Sequence, residues 1–182
     1  MRRATMPPER MITRHHIAGQ TASAALYSDC EAYRYSLTRI WDAAGPLINF
    51  VMLNPSTATE ERNDPTIERC ERRARALEAG GFEITNLFAF RATDPRDLRR
   101  AAAPTGPDND AVLTAAAARA TRIIAAWGVH GAYLNRAAEV TALLAQSPTP
   151  LYHLGLTKHG HPRHPLYLPY SQHPLPWRVN QA

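Results

Sequence analysis

Cysteine is nearly missing from this chain. Cys30 and Cys70 are its only two, too few for a disulfide framework or a four-cysteine metal cluster, so a reducing, cytoplasmic setting is expected. Long apolar runs are missing as well. No stretch approaches the roughly 20 residues that cross a bilayer, and the opening MRRATMPPER lacks the apolar segment of a secretion signal, so no membrane association is expected. Lysine is scarce too: Lys158 stands alone, and arginine supplies the rest of the 21 basic residues, against 16 acidic ones. The net charge of +5 and a pI near 9.6 point to an anionic partner, because the arginine fork matches phosphate geometry; the competing reading is a solvated basic surface. Internal repeats are absent, and 182 residues, 45% of them hydrophobic, bury one sizeable core and not comfortably two. A monomeric single domain over 1–182 is expected, with a core at about 25–170 and flexible N-terminal and Pro/His-rich C-terminal tails.

What is present alternates between strand and helix. Tyr33, Tyr35, Leu37 and Trp41 alternate with Arg34, Ser36 and Thr38 behind the turn residues SDC, which predicts a β-hairpin at a sheet edge. LINFVML is a continuous apolar run, as in a strand covered on both faces. Asp64 and Pro65 make a helix start, Ile67, Cys70, Ala74 and Leu77 fall at helical spacing, and Gly80-Gly81 ends the pattern. FEITNLFAF reads as a second core strand, Asp108 or Asn109 opens an alanine-rich helix, RIIAAWG is a third strand, 134–145 a further helix and LYHLG a fourth strand. The tail TKHGHPRHPLYLPYSQHPLPW holds too much proline for a long helix or a central strand. This order predicts a three-layer αβα fold with a mostly parallel central sheet and an N-terminal hairpin. Ligands in such folds sit beyond the carboxyl ends of the strands, where the chain leaves through Asn54-Pro55-Ser56-Thr57, Asn86, Trp127-Gly128 and the histidines after LYHLG.

Each of these residues has a chemical reading and a plainer one. Asn54 orients a water with its amide oxygen, or fixes the turn before Pro55. Asn86 offers a donor and an acceptor on one planar group, as base reading requires, or is a satisfied buried amide. His164, held by Pro165, donates to a departing base or is simply solvated. Asp64 is a general base beside Asn54 or only a helix cap. Trp127 stacks on a nucleotide or fills the core. Arg69, Arg72, Arg73 and Arg75 track a phosphate backbone or form a solvated helix face. Arg91, Arg163 and Lys158 are further candidates for DNA contact. A rival constellation sets His159, His161 and His164 with Asp64 as ligands of a metal-dependent hydrolase, and a third class is a non-catalytic nucleic-acid or nucleotide-binding module.

Four motifs in order resemble the uracil-DNA glycosylase superfamily. MLNPS is similar to the first motif of the mismatch-specific enzymes, Gly-x-Asn-Pro-[Gly/Ser], with Met52 in the glycine's place; FEITNLFAFRATDP resembles the base-reading strand of the thermophilic type; RIIAAWGVHG resembles a further core strand; and RHPLYL resembles the closing His-Pro-Ser motif with Leu166 for serine. The set LNPST, NDPT, NLFAFRATDP, AWG and HPLYL also resembles a bacterial family catalogued as a domain of unknown function. The likeness spans about residues 47–168. It implies a monofunctional DNA glycosylase acting on a flipped-out base without cofactor, metal or iron-sulfur cluster, with Asn54 at the water, Asn86 on the base and His164 at the leaving group. Phe88, Tyr33 and Tyr167 are the candidates for stacking. Strict uracil enzymes of the superfamily close their pocket with an aromatic residue shortly after the first motif's proline. Ser56, Thr57 and Ala58 stand there in this chain, which implies room for a modified pyrimidine and, at a further remove, defence against viruses that carry such bases.

Overall fold

The structure, a computed structural model, describes residues 10–179. Eight strands form one sheet: β1 (Met11–Ala18), β2 (Thr21–Ser28), β3 (Arg34–Ile40), β4 (Leu47–Met52), β5 (Gly81–Asn86), β6 (Arg122–Ala125), β7 (Leu151–His153) and β8 (Leu175–Pro176), in the order β1-β2-β3-β5-β4-β6-β7-β8. Among the described residues four α-helices join them, α1 (Pro65–Ala76), α2 (Pro95–Arg100), α3 (Asn109–Arg119) and α4 (Arg136–Leu144), beside two 3-10 segments at Val129–Asn135 and Pro165–Tyr167.

The sheet is mixed, which corrects the expectation of a mostly parallel one. β4 pairs in parallel with β5 and β6, and β6 with β7, while the remaining four pairings are antiparallel. The additional antiparallel strands are those with the weakest sequence signal. β1 is exposed or half-exposed along its whole length, so it shows no apolar alternation, and β8 has only two residues, both exposed. With β1 outside it, β3 is an interior strand and not the edge expected of the hairpin. The tails expected to be flexible are also largely built in. Residues from Met11 onward are strand, and in the C-terminal segment Arg73 of α1 donates to the carbonyls of Leu168, Pro169 and Gln172. The Trp177 ring lies 5.7 Å from that of Trp127. The rest of those tails, 1–9 and 180–182, falls outside the described residues.

Side chains alternate across the parallel strands and feed two cores. Ile48, Phe50, Met52, Phe82, Ile84 and Ile124 pack with Ile67, Cys70 and Ala74 of α1, whereas Val51, Ile123 and Ala125 pack with Leu113 and Ala117 of α3 and with Val140 and Leu144 of α4. Both sides of β4 are thus covered, which is why its sequence is apolar without a break. The Asp64 carboxylate accepts from the Ile67 amide at 2.9 Å and Pro65 follows it, so α1 starts where the sequence indicates. Its end is different. Glu78, not a glycine, takes the left-handed conformation (φ 57°), and Gly80 is required because a Cβ there would collide with the Asp42 carbonyl. From β4 the chain passes over α1 to β5 on one side and then returns across β4 to β6 on the other. Such a reversal opens a crevice at the carboxyl ends of the strands. No helix among the described residues is long and apolar enough to cross a membrane.

Candidate functional site

The crevice is a cavity of about 580 Å³ lined by residues from the ends of β4, β5 and β6, the start of α1 and the loop 157–168. Asn54, Ser56, Asp64, Asn86, Trp127, Arg163, His164 and Tyr167 all reach it. Residues 110 positions apart in the chain thus meet because each leaves its element by the same edge.

Asn54 stands two residues beyond the end of β4. Its amide nitrogen donates to the Ala92 carbonyl at 2.7 Å and to Pro55 O at 3.0 Å, and the Ala92 amide returns a bond to Pro55 O at 2.9 Å. The amide nitrogen therefore ties the two loops after β4 and β5 together, and the amide oxygen makes no hydrogen bond with the described residues. Ser56 donates across the same junction to Thr93 Oγ1 at 3.2 Å. Asn86, the last residue of β5, is 1% exposed, and its Nδ2 is buried without a partner. A buried unpaired amide is costly, and this one belongs to a cavity wall. Asn109 holds the backbone behind it, donating to the carbonyls of Asn86 and Leu87 at 2.9 and 3.0 Å.

His164 caps the short 3-10 turn Pro165–Tyr167, with its Nδ1 accepting from the Leu166 amide at 3.2 Å. In a neutral ring that bond leaves the proton on Nε2, so the imidazole is a donor. Burial lowers the His164 pKa below its ordinary value, with Asp64 pulling weakly in the opposite direction, so the ring is neutral at pH 7. Asp64 accepts backbone amides on both oxygens, Ile67 N at 2.9 Å and Ala58 N at 3.3 Å. Cap and cavity wall are here the same carboxylate.

Other residues singled out from the sequence lie elsewhere. Phe88 is fully buried in the core against Tyr133, 5.6 Å between rings, and does not line the cavity. Thr57 is exposed outside it, Tyr33 packs against Phe90 and Tyr35, and Lys158 is exposed beside the wall residue Thr157. Arg91 donates to Glu31 O and lies over the Tyr27 ring. Arg73 is buried on the tail carbonyls, Arg72 and Arg75 pair with Glu68 and Glu71, and Arg75 also covers Trp41 at 3.8 Å. Arg69 and Arg73 of that face both reach the cavity's edge, donating to the carbonyl of the wall residue Leu168 at 3.0 and 3.1 Å. His159 and His161 line a second cavity with Trp127 and Trp177, apart from His164, and no group of three or more His, Cys, Asp or Glu among the described residues could hold a metal ion.

Arg34 is the wall residue that the sequence pattern conceals. It looks like one of the solvent positions of β3, yet it is 1% exposed and lines the cavity. Among the comparisons with known proteins, the family model described as "Protein of unknown function (DUF1643)" matches residues 34–166. No curated protein and no solved structure matches the chain.

Proposed function

The chain belongs to the DUF1643 family, and from the residues that meet in its cavity we propose that it is a DNA glycosylase of the uracil-DNA glycosylase type, with an αβα core, acting on a flipped-out and modified pyrimidine. The observation that carries this proposal is the pairing of opposite chemical capacities on one cavity: an unengaged amide oxygen on Asn54 and a neutral Nε2–H donor on His164. Cleaving a glycosidic bond needs both. The C1′–N bond breaks with its electron pair leaving on the base, water adds to C1′, and one proton of that water ends on the base. Asn54 orients the water, His164 donates to the base oxygen on which charge develops, and Asn86 presents its amide to the base edge. The Asp64 carboxylate, already held by two amides, contributes negative charge opposite the cationic sugar and not proton abstraction. Tyr167, 86% exposed and 6.5 Å ring to ring from His164, is the aromatic placed to stack on a base at the mouth.

Support for a substituted pyrimidine narrows to Ser56 and Thr93. Both are small polar residues on the wall, whereas Thr57 points away and Ala58 is buried. A hydroxyl pair accepts a polar substituent that an aromatic ring would exclude. Arg163, exposed at the rim, is the candidate for phosphate contact. One observation favours a second reading, a nucleotide-binding module without chemistry: Asp64 is the single carboxylate on the wall among the described residues, and both its oxygens are already engaged. Incubating the protein with DNAs containing uracil, 5-hydroxymethylcytosine or its glucosylated form, and measuring free base and abasic sites, separates the two. Free base is expected from at least one modified substrate; tight binding with no release supports the module.

A further inference from the structure

The buried polar groups that lack partners are distributed unevenly. Among the described residues the unpaired side-chain donors are Arg34 Nε, Arg73 Nε, Asn86 Nδ2 and Trp127 Nε1, and all but Arg73 belong to the wall of the cavity at the strand ends. The unpaired acceptors, on Asn49, Asp108 and Asn109, all lie away from it, and Glu31 Oε1, also without a hydrogen bond, pairs with Arg14. The Trp127 nitrogen is turned toward Gly131, which leaves Arg34 and Asn86 as the wall residues with unpaired donors.

Arg34 is brought there by a defect in the sheet. Leu26 of β2 faces Ser36 of β3, but the next residue, Tyr27, faces Arg34, so Tyr35 is an extra residue and the alternation reverses across it. Arg34 thereby shares the face of Tyr27 and Leu37, both in the α1-side core, while Tyr35 turns into a different cluster. Without the bulge the guanidinium would stand on the opposite face of the sheet. Once inside, its Nη1 donates to the Ala58 carbonyl, its Nε has no partner, and among the described residues no carboxylate lies at ion-pair distance from it. Burial brings the guanidinium down to about 10, against the upward pull of Tyr27 and Asp64. A buried cation without a counter-ion is a strongly unfavourable arrangement, and a ligand that supplies the missing charge relieves it.

We infer that Arg34 is the anion-binding residue of this cavity and that, with Asn86, it selects a ring ligand rich in carbonyl oxygens and carrying negative charge. The site itself rests on the geometry of the wall. Identifying that anion with the departing pyrimidine rests on the glycosylase proposal; there, Arg34 stabilises charge on the base, a specificity role that Asn54 and His164 do not fill.

Barbiturate and uracil separate the possibilities, being pyrimidine rings of similar size of which the first is an anion at neutral pH and the second is neutral. In calorimetric titrations of the full chain, barbiturate should bind on the order of tenfold or more tighter than uracil, as expected for a hydrogen bond between charged groups. The preference should vanish in Arg34→Gln and persist, with weaker binding, in Arg34→Lys, which keeps the cation and carries the test if the glutamine variant does not fold. Equal affinities, no binding of barbiturate, or a preference that survives in folded Arg34→Gln would overturn the inference. No base release from any DNA, together with an intact barbiturate preference, would end the glycosylase proposal and leave the anion site standing.

Discussion

His164 has to meet two demands with one ring. Its Nδ1 must stay unprotonated to accept the Leu166 amide, and its Nε2 must carry the proton that a leaving base needs. Protonation removes the first. Because burial lowers the folded pKa below the unfolded value of about 6.5, the unfolded chain binds the proton first as pH falls. The stability from neutral His164 is therefore fully present above about pH 6.5 and is lost as pH drops through the folded value. Chemical denaturation from pH 8 to 5 should show this decline, and His164→Gln should flatten it; an unchanged slope would mean that other groups carry it. Asn54→Ala removes the oxygen proposed to orient water and should reduce the rate by about 100-fold or more. Its two loop bonds should cost only about 1–2 kcal/mol of stability, since net hydrogen bonds are worth that little. A melting curve beside a single-turnover assay distinguishes the two effects. At this scale Asn54, Asp64 and His164 stand out in the sequence because a proline follows each of them, whereas Asn86 lies inside the longer expected strand FEITNLFAF and stands out only as a polar residue in an apolar run. Arg34 was illegible. Reading Arg34, Ser36 and Thr38 as one wet face assumes an unbroken period of two, and the bulge at Tyr35 that breaks it has no glycine or proline to mark it.

Among the elements, α1 shows how a run of arginines divides its work. Arg73 is 4% exposed and bonded to three carbonyls of the tail, whereas Arg72 is exposed and paired with Glu68 four residues away. Arg73→Gln should destabilise the protein by about 2–4 kcal/mol through the unpaired carbonyls it leaves, whereas Arg72→Gln should leave the melting temperature essentially unchanged. Neither should change the salt dependence of DNA affinity. Arg163→Gln at the rim should lower the log-log salt slope by about one; a slope that responds to Arg72 and ignores Arg163 would move the DNA path onto the helix. Helix starts were legible where Asp precedes Pro, at Asp64-Pro65, and the same signal at Asp94-Pro95 marks the unforeseen α2. Strand ends were less so. FEITNLFAF continues apolar to Phe90, yet β5 stops at Asn86, because Leu87 and Phe88 turn to bond the Met52 and Leu53 carbonyls and fill the α3-side core.

Over the whole molecule, the parallel strands β4–β7 were foreseeable from apolar runs separated by helices, while β1 and β8 were not, since strands that bury little leave little periodicity. The antiparallel strands nevertheless matter to the site. β3 delivers Arg34 to the cavity wall, and the segment beyond β7 returns as the loop that carries Arg163, His164 and Tyr167. A single cavity thus draws on both halves of a mixed sheet. The most direct measurement is base release: purified protein incubated with DNA carrying uracil, 5-hydroxymethylcytosine or glucosylated 5-hydroxymethylcytosine, with free base and abasic sites quantified for the parent chain, Asn54→Ala and His164→Gln. The expected result is release of a modified pyrimidine by the parent, at least as fast as uracil, and its loss by about 100-fold or more in both variants. No release from any of these DNAs, or release that both folded variants retain in full, would contradict the account.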